Sequence, residues 1–159
     1  MEICLKPVGI VHTQGTEEDV KQTGNRQGEL EIFPEFSDGL DGIDGYSHLL
    51  LLVYFHRLRP DQIGPLKVKP RILLRRGFKI EELPLIGVFA LDSPTRPNPI
   101  GLTLVRILRR EGNRIVVSGL DFYDGTPILD IKPYSNQYHT DEFIVPDWYR
   151  KLADATGHV

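Results

Sequence analysis

The chain has 159 residues, 40% hydrophobic and 26% charged, which suits one soluble globular domain whose core needs neither metal nor disulfide. Its single cysteine, Cys4, excludes an internal disulfide and a cysteine-rich zinc site. A net charge of −3 excludes a globally basic nucleic-acid binder, and no apolar run has the length of a signal region or a bilayer span, so a cytoplasmic protein is expected.

The charge is unevenly placed. Residues 1–50 carry ten acids against three bases, residues 55–114 thirteen bases against five acids, and the remainder is again acidic. Within the basic block, Lys67, Lys69, Arg71, Arg75, Arg76 and Lys79 occur with no acid between Gln62 and Ile80. Such a stripe either holds a polyanion locally or pairs with the acidic N-terminal third.

Leu5 to Thr13 is apolar and β-branched and predicts a first strand. Gln14 to Gly28 is polar and glycine-punctuated, a long excursion of the kind that is usually functional or mobile. Glu29, Leu30, Glu31 and Ile32 alternate as in a half-buried strand. The glycines and aspartates between Asp38 and Gly45 predict turns. Leu49 to Phe55 is a continuous apolar run of strand length, expected to be buried on both faces and ending at the polar pair His56-Arg57. Further strands are expected over 66–74, 86–91, 102–108, 115–120 and 128–131, with a hairpin at Glu111-Gly112-Asn113-Arg114 and a turn at Asp124-Gly125. Pro146 to Thr156, with a proline at its start, Asp147 in its first turn and Gly157 after its end, predicts a helix. The expected fold is mostly β: one barrel domain over residues 1–159, with a C-terminal helix. No Rossmann glycine fingerprint or phosphate-binding loop is present, and strands do not alternate with long helices, which argues against a doubly wound α/β enzyme.

Two stretches carry chemistry. In Asp92-Ser93-Pro94-Thr95-Arg96-Pro97-Asn98-Pro99-Ile100-Gly101, three prolines fix their own φ and push the residues before them to extended geometry. The result is a stiff loop with little entropy to lose on binding a ligand. The second stretch runs from Asp121 to Tyr134. Its Asp130 lies between Leu129 and Ile131, where a carboxylate either pairs, with Arg96 or Lys132, or faces a cleft as a base. None of the five histidines pairs with another at i,i+4 and no cysteine joins them, so no metal site is expected; His56 is the best placed for acid–base work.

The run Gly87-Val88-Phe89-Ala90, then Ser93-Pro94 and Arg96-Pro97-Asn98-Pro99-Ile100-Gly101, joined with Asp124-Gly125-Thr126-Pro127 and Asp130-Ile131-Lys132-Pro133-Tyr134, resembles the TrmO/TsaA-like family. Pro7-Val8-Gly9-Ile10-Val11, Arg26-Gln27 and Phe55-His56 match its earlier motifs, so the resemblance spans about residues 5–134. It implies an S-adenosylmethionine-dependent methyltransferase on a β-barrel, a homodimer with its active site near the subunit interface, and methylation of N6 of threonylcarbamoyl-adenosine, the base 3′ of the anticodon in certain tRNAs. It places cofactor contacts on Asn25, Arg26, Gln27, His56, Arg57, Asp92, Leu102, Asp124, Gly125, Thr126 and Pro127, with Arg96 in the motif's centre. Asn25 stands where the family usually has proline, and Leu91-Asp92 where it commonly has threonine-arginine, a reversal of charge at an expected contact. The candidate bases are Asp124, Asp130 and His56. The basic stripe would seat tRNA phosphates, and Tyr123 or Tyr134 would stack on the base. The competing expectations are methylation of another small or RNA substrate, and a non-catalytic barrel that binds the cofactor or RNA.

Overall fold

The computed structural model describes residues 2–14 and 26–156. In chain order its strands are β1 (Gly9–Thr13), β2 (Arg26–Ile32), β3 (His48–Tyr54), β4 (Lys67–Val68), β5 (Ile86–Gly87), β6 (Ile100–Glu111), β7 (Arg114–Leu120) and β8 (Thr126–Pro133), followed by the helix α1 (Asp147–Thr156). Six of them close into an antiparallel barrel in the order β1-β2-β7-β6-β3-β8, while β4 and β5 pair apart from it.

Period-two patterning builds the barrel interior. Val11, Leu30, Leu49, Leu51, Val53, Val105, Ile115, Val117 and Ile128 have no exposed surface, and Leu120 and Phe122 complete the core at one end. Register irregularities at Arg26/Gln27, Leu52/Val53 and Ile107/Arg109 supply the local bends that closure requires. Ile32 and the Gly112-Asn113 turn lie at one end, where the Ile32 N–H donates to Asn113 O at 2.9 Å. Leu40, buried in the 3₁₀ segment Pro34–Leu40, packs there with Phe36 and Ile43 against the core.

The opposite end gathers the ends of all six barrel strands. Val11 pairs with Thr126, Arg26 with Leu120, and Tyr54 with Ile100, so Thr13, Arg26, Tyr54, Ile100, Leu120 and Thr126 ring one mouth. Gly101 is fixed there by space. A Cβ on it would lie 2.6 Å from Phe55 Cζ, and the Phe55 ring packs edge-on to Phe122 with centroids 6.0 Å apart.

Four expectations are corrected. The first strand starts at Gly9, and Leu5 is exposed. The run in β3 is buried on one face only; Leu50 and Leu52 are half-buried on the other and Tyr54 is exposed. The expected strands over 66–74 and 86–91 shrink to two residues each. Pro70 ends the first, and Arg71–Arg76 coils into a 3₁₀ turn that stops at Gly77, whose φ is +88°. Val88–Ala90 likewise turns, burying Val88 and leaving Phe89 in solvent. No helix among the described residues is long and apolar enough to cross a membrane.

Candidate functional site

The mouth of the barrel holds most of the residues that the motifs singled out. β3 leads out into His56-Arg57, β7 into Asp121–Gly125, and the proline loop 92–99 leads into β6. The loop is tied down at its middle and its end: Gly64 N–H donates to Arg96 O at 3.2 Å, and Phe55 N–H to Pro99 O at 2.9 Å.

Asp124 is the hub. Its Oδ1 accepts the Thr13 backbone N–H at 3.0 Å and lies 3.9 Å from His12 Nδ1. Its carbonyl accepts from Arg57 Nη2 at 3.2 Å, and the same guanidinium sits 5.0 Å from the centre of the Tyr123 ring. Gly125, at φ +77°, turns the chain into β8 and donates its N–H to Val11 O at 2.9 Å. A Cβ on Gly125 would lie 4.0 Å from His56 Nε2, so the imidazole faces this turn. Thr126 is buried beside it, and its N–H donates to Tyr123 O. His56, Arg57, Tyr123, Asp124, Gly125 and Thr126 therefore come together.

Partial desolvation, and then the Arg57 charge, hold the His56 imidazole below its usual range, so it is a neutral proton acceptor near pH 7. Arg26 is half-buried at the start of β2, and both terminal guanidinium nitrogens are buried without a hydrogen-bond partner among the described residues. A cationic fork left in that state is costly unless an acceptor arrives. Gln27, next in the strand, borders a surface cavity of about 420 Å³ with His12, Thr13 and Glu29. Asn25 lies outside the described residues.

Other predicted residues lie elsewhere. Arg96 Nη2 donates to Val88 O at 2.9 Å and Leu91 O at 3.3 Å, so this guanidinium ties the proline loop to the backbone of the turn before it. Asp130 is on the outer face of β8, opposite Leu52; it forms an ion pair with Lys132 Nζ at 2.9 Å and accepts the Ile131 N–H. That is the structural alternative of the two weighed for it. The Asp130 hydrogen bond, and then its charge, raise the Lys132 ammonium above its usual range. Leu102 is 64% exposed on the outer face of β6, beside exposed Leu104 and Tyr54. Tyr134 stacks on Tyr138 and meets His48 edge-on at the start of β3, at the far end of the barrel from the mouth. Asp92 is exposed on the proline loop, and Pro127 is half-buried in β8. In the basic stripe, Lys67 and Arg71 are exposed, Lys69 Nζ donates to Ile80 O at 2.7 Å, and Arg75 and Arg76 end the 3₁₀ turn.

Asp121 went unmarked in the sequence. It follows β7 at the mouth, where desolvation pushes its carboxyl above the usual range, while its backbone and the Thr103 hydroxyl hydrogen-bond it and pull the other way. An aspartate between two buried apolar residues, Leu120 and Phe122, was the available signal.

The class the fold defines is a closed antiparallel barrel whose charged and aromatic groups converge on one mouth, the candidate ligand site, which the proline loop enters. The family model described as "tRNA-methyltransferase O N-terminal domain" matches residues 11–140, and the chain belongs to this family. It is 39% identical over 154 residues to a Pyrococcus abyssi (strain GE5 / Orsay) protein named "Probable S-adenosyl-L-methionine-binding protein", covering 94% of this chain and 77% of that one. It is 38% identical over 128 residues to the Rattus norvegicus protein named "tRNA (adenine(37)-N6)-methyltransferase", covering 79% of this chain and 27% of that one. Among solved structures, one titled "Crystal structure of TrmO" superposes with a TM-score of 0.70 at 30% identity over 93% of this chain. This chain spans 64% of that structure's length.

Proposed function

We propose that this chain uses S-adenosylmethionine to methylate the N6 nitrogen of threonylcarbamoyl-adenosine beside a tRNA anticodon. The observation that carries the cofactor half is Arg26, a buried guanidinium fork with no partner among the described residues, at the mouth where His56, Arg57 and residues 123–126 meet. The cofactor brings a carboxylate, an ammonium, ribose hydroxyls and a purine. The Arg26 fork suits the carboxylate bidentately, and the exposed carboxylate of Asp92 suits the ammonium or a ribose hydroxyl. Family membership and the name of the rat relative support the tRNA half.

When bound, the cofactor supplies an electrophilic methyl group on a sulfonium. The acceptor nitrogen is bonded to both a purine and a carbonyl, so its lone pair is delocalised, and it must lose its proton to react. His56, kept neutral and facing the Gly125 turn, takes that proton and is exposed enough to pass it to solvent. Asp124 clamps the 121–125 turn to β1, and the proline loop, braced by Arg96, holds its wall in place, so reactants meet in fixed geometry. Asp130, already paired with Lys132, takes no part.

The stripe Lys67, Lys69, Arg71, Arg75, Arg76 and Lys79 seats tRNA phosphates. Leu102 faces away from its own mouth, and it reaches a cofactor in a homodimer in which this face meets a second copy. The test is calorimetry with S-adenosylmethionine, alongside native mass spectrometry of the protein as purified. Saturable heat and retained cofactor or its demethylated product are expected; no heat at millimolar cofactor contradicts the reading.

A further inference from the structure

The excursion between β3 and β6 has buried side chains of its own in Leu73, Leu83 and Val88, none of which belongs to the barrel core. It also exposes large apolar groups at the ends of its two-stranded ribbon. Phe89 is 83% exposed, and Leu66 and Leu85 are more than 60% exposed. A soluble chain rarely leaves a phenyl ring so uncovered beside two leucines without a use for the patch.

The ring is held out by design of the backbone. Val88 N–H donates to Leu66 O at 3.0 Å, and Val88 O accepts from Arg96 Nη2 at 2.9 Å. Arg96 Nη2 also binds Leu91 O, so the turn that carries Phe89 is fastened on both sides and joined to the proline loop of the mouth. Two residues before Phe89, Gly87 presents no side chain, and a Cβ there would touch nothing nearer than 3.9 Å. Lys67 is the register partner of Gly87 in the ribbon. The ring thus follows a position that carries no side chain, with Lys67 across the ribbon from it.

The charges decide the occupant. Lys67, Arg71 and Lys79 are exposed, and among the described residues none of these side chains has an ion pair, in a chain whose net charge is −3. An exposed aromatic with Lys67 across the ribbon, on an excursion that carries further exposed cations, matches a single-stranded nucleic acid, whose bases offer flat π-faces and whose backbone offers phosphates. We infer that Phe89 is a stacking platform for an unpaired RNA base next to the one that reacts, with Lys67 on its phosphate. This rests on the RNA-substrate reading above and adds a base-stacking platform beside the stripe that reading names.

The experiment measures binding of a synthetic RNA hairpin with a purine-rich unpaired loop, and of a fully paired duplex, by fluorescence anisotropy at low salt. Wild type is compared with F89A, F89W and F89L, and each variant is also titrated with S-adenosylmethionine. F89A is expected to lose about tenfold or more in hairpin affinity, F89W to regain it and F89L not, with duplex binding and cofactor heat unchanged. Unchanged hairpin affinity in F89A, or full rescue by F89L, overturns the stacking role. A fall in sedimentation coefficient for F89A assigns the ring to a second copy and overturns it too. If wild type binds cofactor but no hairpin, the RNA-substrate reading itself fails, and this surface with it.

Discussion

The carboxylate of Asp124 accepts the backbone N–H of Thr13 at 3.0 Å, tying together positions 111 residues apart in the chain. With the Gly125-to-Val11 hydrogen bond, it pins the 121–125 turn to the end of β1. Removing the acceptor in Asp124→Ala should lower the unfolding free energy by about 1 kcal/mol in urea titrations. Cofactor affinity should fall by about tenfold as the turn loosens. Asp124→Asn keeps an acceptor oxygen and should retain most of both. Equal losses in the two variants would mean that charge, and not the tie to Thr13, is what matters.

Arg26 invites a test that separates stability from binding. A buried guanidinium that no described residue satisfies is a liability in the free protein. Arg26→Met, similar in length and apolar, should raise the unfolding free energy by about 1 kcal/mol. The same variant should weaken cofactor binding by about a hundredfold. A destabilised variant with normal cofactor affinity would show that the chain itself satisfies this fork.

Much of the barrel was legible because a half-buried strand writes its own period. Leu30 and Ile32 turn inward between Glu29 and Glu31, and the pairing of Glu111 with Arg114 was announced by Gly112-Asn113. The run 66–74 was not legible, since a short apolar stretch looks alike in a strand and in a turn that buries Leu73. His56, Arg57 and residues 123–126 meet at one mouth while Leu102 and Asp130 do not, and the work of Arg96 was hidden because its acceptors are backbone carbonyls, which no side-chain pattern encodes. Asp121 was hidden for a related reason: its environment depends on Thr103, which folding alone brings near.

Gly101→Ala is a steric prediction at the same mouth. The new methyl group would stand 2.6 Å from Phe55 Cζ and 3.0 Å from Val53 Cγ2, so the aromatic pair must shift. Overpacking of this kind costs about 1–3 kcal/mol, measurable by urea denaturation. A second change, Phe55→Leu, should recover part of the loss; if the double variant is simply additive, the clash is not the cause.

His56 gives a pH signature. Its folded pKa lies below the ordinary 6.5, so between the two values the unfolded chain binds more protons and stability rises with pH. As pH falls through 6.5 the wild type should lose stability relative to His56→Gln, and the difference should level off below the folded pKa. The methyl-transfer rate should rise with pH through that same depressed pKa and lose this dependence in the variant. A wild-type rate that is flat through this range would remove His56 as the proton acceptor.

The central claim is methyl transfer to a modified adenosine in tRNA. It is tested most directly by incubating the protein with deuterium-labelled S-adenosylmethionine and tRNA that carries threonylcarbamoyl-adenosine, then digesting the RNA and weighing its nucleosides. The account predicts that this nucleoside, and no other, gains one labelled methyl group. Saturable cofactor binding with every nucleoside mass unchanged would contradict it.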